Sequence, residues 1–112
     1  MNEIKQLTKL ILKFRNDRDW QQFHNPKDLA LSLSLEASEL LELFQWKTSE
    51  EAVEKDLGKM KDELADVITY ALLFANETGI DVLSAVKQKM MKNDEKYPVE
   101  KAFGVNEKYN EL

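Results

Sequence analysis

The segment LSLSLEASELLELF, residues 31–44, decides the fold, because its leucines are too dense to lie on one face of a helix. A second segment, ELADVITYALLF at residues 63–74, repeats the helical spacing of three and four residues. Helices of this kind need burial on several faces. The sequence therefore predicts an all-α fold built around two long apolar helices.

Two further amphipathic helices are predicted on either side of this pair. Apolar residues recur at helical spacing over residues 4–14, and again over residues 82–90, where Val82, Leu83, Val86 and Met90 are expected to point inward. The second helix is predicted to run from Pro26 to about Trp46, and Gly58 is a possible break in the third. The signals that mark helix ends are Asn25 before Pro26, the capping box of Thr48 and Glu51, Gly79 as a left-handed cap, and Asp81 as an N-cap.

The length indicates a single small domain. The chain has 112 residues, 43% of them hydrophobic, and we expect residues 1–98 to form the domain and residues 99–112 a polar C-terminal tail. A chain of this size has too little core to cover two helices that are apolar on several faces. We therefore predict a four-helix bundle completed by oligomerisation, as a homodimer or homotetramer.

The net charge of -5 disfavours binding to the backbone of DNA or RNA, and an acidic protein that takes a phosphorylated substrate must bring its own cations. The chain has no cysteine, which excludes disulfides and thiolate metal sites. The N-terminal residues lack the layout of a secretion signal, and no apolar run approaches the ~20 residues that cross a bilayer. We expect a cytoplasmic protein with no membrane partner.

Two acidic pairs stand out because they lie inside apolar segments. Glu36 and Glu39 are three residues apart, as are Glu63 and Asp66, so each pair projects from one face of its helix. Similar spacing in the charged run 49–56 is explained by a solvated face. Carboxylates near a core are unfavourable unless a cation offsets their charge.

Oxygen ligands alone point to Mg²⁺ or Mn²⁺ rather than Zn²⁺. A di-iron centre of the ferritin type would need Glu-x-x-His pairs, whereas the only histidine is His24, in a predicted loop. An alternative stays open, in which the four acids lie at helix edges and pair with lysines.

The order of these acids, E36-x-x-E39, a gap of 23 residues and E63-x-x-D66, resembles the signature of the MazG-like all-α nucleoside triphosphate pyrophosphohydrolases. Over residues 14–98 the chain looks like the dCTP pyrophosphatase branch of that family. The segments that carry the resemblance are RDWQQFHNP at 18–26, ELLELFQWK at 39–47, ELADVITY at 63–70 and KMMKNDEKYP at 89–98.

The resemblance implies a Mg²⁺-dependent enzyme that cleaves dCTP or a modified dCTP to the monophosphate and pyrophosphate, a task in nucleotide-pool house-cleaning. It makes Glu36, Glu39, Glu63 and Asp66 the metal ligands and catalytic residues. Lys89, Asn93, Lys96 and Tyr97, which share a helix face, would contact the phosphates, although Lys96 stands where members of the family often have arginine. The base pocket would consist of Trp20, Phe23, His24 and Trp46, with Tyr70 under the sugar.

A different class of function also fits part of the pattern. A non-catalytic helical module that binds a nucleotide or a partner helix would use Trp20 and Trp46 as apolar anchors. It would explain the aromatic residues but not the acids inside apolar segments. A purely structural oligomer is a third possibility and would respond to no ligand.

Overall fold

The computed structural model describes residues 2–112, and within that range all regular structure is helical, so the predicted all-α class with four long helices is confirmed. The elements in chain order are α1 (Glu3–Asp17), a 3₁₀ helix (Trp20–Phe23), α2 (Pro26–Glu42), α3 (Ser49–Thr78), α4 (Val82–Lys96), α5 (Val99–Ala102) and a 3₁₀ helix (Tyr109–Glu111).

The chain divides into two compact units, one that ends at Ile80 and one that spans Asp81–Leu112. In the first unit α2 packs along α3, and α1 contacts both α3 and the 3₁₀ helix Trp20–Phe23. The apolar centre of this unit contains Leu29 of α2, which is 1% exposed, with Leu72 and Leu73 of α3. In the second unit the ring of Tyr97, at the end of α4, meets the ring of Tyr109 edge to face, with centroids 6.2 Å apart.

The predicted capping residues are found where the sequence places them. The side chain of Asn25 accepts a hydrogen bond from the backbone N–H of Asp28, with Pro26 at the first helical position. Gly79 ends α3 with a φ of 72°, in the left-handed region that suits glycine. Thr48 and Asp81 cap α3 and α4 in the same way as Asn25 caps α2.

Two expectations about helix continuity are wrong. Helix α2 ends at Glu42 rather than near Trp46, because the chain turns there and Trp46 adopts a positive φ of 66°. Helix α3 continues through Gly58, and its kink lies at Asp56, with φ -121° and ψ 22°. The Asp56 carboxylate is buried and accepts a hydrogen bond from Lys47 Nζ at 3.3 Å, so an ion pair and not a glycine accompanies the bend.

Several apolar residues expected to point inward are exposed in the single chain. Val86 and Met90 of α4 are 53% and 54% exposed, and Phe14 of α1 is 52% exposed. On α1 the buried side chain is instead Arg15. Among residues 2–112, none of the helices combines the length and the apolar character that crossing a bilayer requires.

Candidate metal centre

Three of the four predicted acids meet where α2 packs along α3. Glu36, Glu39 and Glu63 each offer one carboxylate oxygen, and these three atoms lie within 4.8 Å of one another. The spacing of three residues places Glu36 and Glu39 on one face of α2, facing the helix that carries Glu63. Asp66, one turn after Glu63, is exposed and is not part of this group of three.

The three carboxylates lack positive partners. Within residues 2–112, Oε2 of Glu36 and Oε2 of Glu63 are buried and have no hydrogen-bond partner. None of the four acids forms an ion pair with any lysine or arginine in that range, which argues against the alternative in which lysines neutralise them.

Crowding of negative charge shifts the protonation of the cluster. Burial, a hydrogen bond with Glu39 and the charges of nearby carboxylates, Asp66 among them, raise the pKa of Glu36 to about 7. A hydrogen bond with Glu39, followed by burial, raises the pKa of Glu63 as well. A group of hard oxygen atoms that repel one another is a chemically suitable site for a divalent cation such as Mg²⁺ or Mn²⁺. The donor set therefore fits the expected metal.

A cavity of about 230 Å³ adjoins the cluster, and both Glu36 and Asp66 line it. We call it the aromatic cavity. Its other lining residues are Ile11, Phe14, Arg15, Trp20, His24, Thr69, Tyr70 and Leu73. Acidic and aromatic side chains from α1, α2, α3 and the segment between α1 and α2 thus surround one space.

Three of the residues expected to bind substrate, Trp20, His24 and Tyr70, lie in this cavity. The ring of Trp20 meets the ring of Phe14 edge to face, with centroids 5.7 Å apart. The Nδ1 atom of His24 is buried and makes no hydrogen bond with residues 2–112. Burial, then the Arg15 charge, lower the pKa of His24, and burial, then the Glu36 charge, raise the pKa of Tyr70.

Two other predicted members of the base pocket do not line the cavity in the single chain. Phe23 is 62% exposed, and Trp46 is 92% exposed. Both lie on turns, at the end of the 3₁₀ helix and after α2 respectively. Their part in base binding stays a prediction.

The residues predicted to contact phosphate belong to the second unit. Lys89, Asn93 and Lys96 lie on α4, and Tyr97 is its C-cap. Lys89 and Lys96 are exposed, and Lys96 Nζ lies 4.9 Å from the centre of the Tyr109 ring. Phosphate binding by this face stays a prediction.

Sequence reasoning missed an ion pair at the cavity. Arg15 Nη1 donates to Glu77 Oε1 at 2.9 Å, although the two residues are 62 positions apart. The signal was present, since Arg15 follows Ile11 by four residues and therefore shares its helix face. Sequence patterns alone did not identify Glu77 as its partner.

The chain is similar in sequence to known proteins. Residues 31–112 match the model of the MazG-like family. The chain is 37% identical to dCTP pyrophosphatase 1 of Mus musculus and to that of Homo sapiens over 114 aligned positions, which cover 97% of this chain and 67% of each relative. The Bos taurus protein of the same name is 36% identical and is covered to 68%.

A solved structure resembles most of the chain. A pyrophosphatase from Archaeoglobus fulgidus superposes with a TM-score of 0.82 and is 40% identical in sequence. The match covers 88% of this chain and 94% of the archaeal chain. Sequence and structure thus agree on the same class of protein.

Proposed function

This chain belongs to the MazG-like family and is a nucleoside triphosphate pyrophosphohydrolase, and we propose that its substrate is dCTP or a modified dCTP, hydrolysed with the help of Mg²⁺. The products would be the nucleoside monophosphate and pyrophosphate, and the task would be cleansing of the nucleotide pool. The observation that carries this proposal is the pair of buried, unpartnered carboxylate oxygens, on Glu36 and Glu63, beside an aromatic cavity.

Glu36, Glu39 and Glu63 would hold the metal, and Asp66 would complete the set from the cavity side. When bound, a divalent cation neutralises phosphate charge and makes a coordinated water more acidic. Without cations, a triphosphate would be repelled by this acidic site. With a cation bound, the four acids would hold the α-phosphate beside the aromatic cavity.

Attack on the α-phosphorus needs a water molecule in line with the departing pyrophosphate and a group that accepts the water's proton. Glu39 is the most suitable acceptor of the three, because it is exposed whereas Glu36 and Glu63 are half-buried. The described residues around the cluster do not include an activated serine, threonine or lysine, so hydrolysis would proceed without a covalent intermediate.

The aromatic cavity suits a single-ring base. Its volume of about 230 Å³ is below the ~300 Å³ at which pockets for drug-sized ligands begin. Trp20 would stack against the base. Stacking contributes ~1–3 kcal/mol for any base, so it would not distinguish one base from another. Tyr70 lines the same cavity and would pack against the sugar, where a large side chain disfavours ribose.

Product analysis tests this proposal. Each NTP and dNTP is incubated with the purified protein and Mg²⁺, and products are separated by chromatography. We expect pyrophosphate and dCMP from dCTP, no inorganic phosphate, and no reaction in EDTA. Release of phosphate, or equal turnover in EDTA, would refute the proposed chemistry.

One observation favours the non-catalytic alternative. Trp46 is 92% exposed, and Leu41 and Phe44 nearby line a separate surface hollow, as a docking site would require. Thermal shift separates the two functions. The enzyme should be stabilised by Mg²⁺ with a non-hydrolysable dCTP analogue and lose that gain in EDTA, whereas a docking module should not respond to metal.

A further inference from the structure

Arg15 is a buried cation at the wall of the aromatic cavity. The residue is 8% exposed, and it lines the cavity together with His24 and Tyr70. Its guanidinium donates from Nη1 to Glu77 at 2.9 Å and from Nε to Asn16 Oδ1 at 3.0 Å. Those two bonds fix the plane of the group.

The remaining donors of Arg15 are available. Its Nη2 group makes no hydrogen bond with any of residues 2–112, although a guanidinium offers five N–H donors in total. A buried ion pair contributes little net stability compared with apolar side chains of the same volume. Its position at the cavity wall therefore calls for a role in binding.

His24 contributes a hydrogen-bond acceptor to the same aromatic cavity. Its Nδ1 is buried and makes no hydrogen bond with residues 2–112, and burial, followed by the charge of Arg15, lowers the pKa of the imidazole. A neutral imidazole has one nitrogen that accepts a hydrogen bond. The cavity thus combines fixed donors from Arg15 with an acceptor from His24.

We propose that Arg15, held in place by Glu77, selects cytosine by donating hydrogen bonds to its O2 and N3 atoms, an inference that rests on the proposed activity toward dCTP. Cytosine presents two adjacent acceptors, O2 and N3, and an amino donor at C4. Uracil and thymine present a donor at N3, which a guanidinium cannot accept. If uracil or thymine entered the cavity, a buried donor of Arg15 would stay unpaired, and this would disfavour binding of the wrong base.

The test is an NMR titration with dCMP and dUMP in the presence of Mg²⁺, because the cation offsets the charge of the acidic site and a monophosphate has no pyrophosphate to lose. Wild-type protein should bind dCMP at least about tenfold more tightly than dUMP. This ratio corresponds to the net free energy of one hydrogen bond from a charged donor. Arg15→Met should bind the two monophosphates about equally. Arg15→Lys keeps the charge but loses the planar fork, so it should lose most of the preference as well.

Matched variants separate recognition from folding. Lys13→Met removes an exposed cation of α1, paired with Asp17, and should leave the preference unchanged. If Arg15→Met is unfolded because Glu77 is left unpaired, the double variant Arg15→Met with Glu77→Gln removes both charges. Glu77→Gln alone should weaken the preference, since the guanidinium loses its anchor.

Kinetics supply a second readout. With dCTP and dUTP as substrates, Arg15→Met should raise KM for dCTP about tenfold to hundredfold and change kcat little. An unchanged dCMP-to-dUMP ratio in Arg15→Met, or equal affinities in the wild type, would overturn the inference. A wild type that releases no pyrophosphate from any dNTP would instead refute the proposed function, while the NMR titration would still decide the role of Arg15.

Discussion

Glu36 and Glu63 illustrate how a site can oppose the stability of its own fold. Each carries a buried carboxylate oxygen without a hydrogen-bond partner in the part of the chain described, and burial together with neighbouring acids raises the pKa of both. Uncompensated charges of this kind are unfavourable in a folded protein. We infer that they are kept because they serve ligand binding, a common reason for local instability at functional sites.

Replacing Glu63 by glutamine should separate activity from stability. We expect the rate of dCTP hydrolysis to fall at least about 100-fold, since even groups that only support metal ligands contribute about 10- to 100-fold. In EDTA the melting temperature of Glu63→Gln should exceed that of the wild type, because one repelling charge is gone. Glu54→Gln, which changes an exposed acid of the same helix, is the control for both measurements and should match the wild type. A Glu63→Gln protein of wild-type activity would contradict the proposed site.

His24 should make stability depend on pH. Burial and the charge of Arg15 lower its pKa in the folded state, while Glu77 partly opposes them. The folded protein therefore binds fewer protons than the unfolded chain near and below pH ~6.5, so the contribution of His24 to stability is complete above that pH and is lost as the pH falls.

The measurement is the difference in unfolding free energy between wild type and His24→Gln, from urea titrations between pH 8 and pH 5. Contributions of the other titrating groups to the unfolding free energy cancel in this difference. We expect the stability of the wild type relative to the variant to decline below pH ~6.5. A difference that stays constant over the whole range would show that the folded state does not disfavour the imidazolium.

At the scale of helices, the sequence predicts features that depend on neighbouring residues, and it does not predict features that depend on contacts between distant residues. Caps at Asn25 and Gly79 depend on residues within one turn, so the sequence contains all the information they need. The kink in α3 is accompanied by an ion pair between Lys47 and Asp56, a contact across a turn that no periodic pattern encodes.

The same distinction applies to the site. The grouping of Glu36, Glu39 and Glu63 could be predicted because a spacing of three residues fixes a helix face, and family resemblance then separated these acids from other acidic pairs. The pairing of Arg15 with Glu77 could not be predicted, because it depends on the register between α1 and α3.

The kink in α3 gives a prediction of its own. The Asp56 side chain is 7% exposed, and its stronger partner is Lys47 at 3.3 Å, with Lys59 at 3.8 Å and 73% exposed. Lys47→Met should lower the unfolding free energy by about 3 kcal/mol, because it leaves a buried carboxylate without its main partner. Lys59→Met is the control and should change it by less than ~1 kcal/mol. Equal effects of the two substitutions in urea titrations would contradict this assignment.

At the scale of the molecule, the first unit leaves apolar side chains of α2 in solvent. Leu31, Leu35 and Leu41 are 53%, 64% and 70% exposed. Such a surface is typical of an interface between subunits. We therefore retain the prediction of a homodimer or homotetramer, built on this face of α2.

Light scattering after size exclusion tests the assembly. Wild-type protein should elute with the mass of two or four chains, and Leu35→Asp should shift the population to monomers, since a buried unpaired charge opposes association. Lys9→Asp, an exposed site on α1, changes charge in the same direction and should leave the mass unaltered. A monomeric wild type would exclude an interface of this kind.

The proposed activity requires a cation among Glu36, Glu39 and Glu63. Anomalous diffraction from a crystal grown with Mn²⁺ and a non-hydrolysable dCTP analogue would locate this cation. We predict a manganese peak coordinated by oxygens of these three carboxylates, with the phosphates on its far side. A map with no peak there, in which the three carboxylates point away from one another, would exclude a metal site at this position.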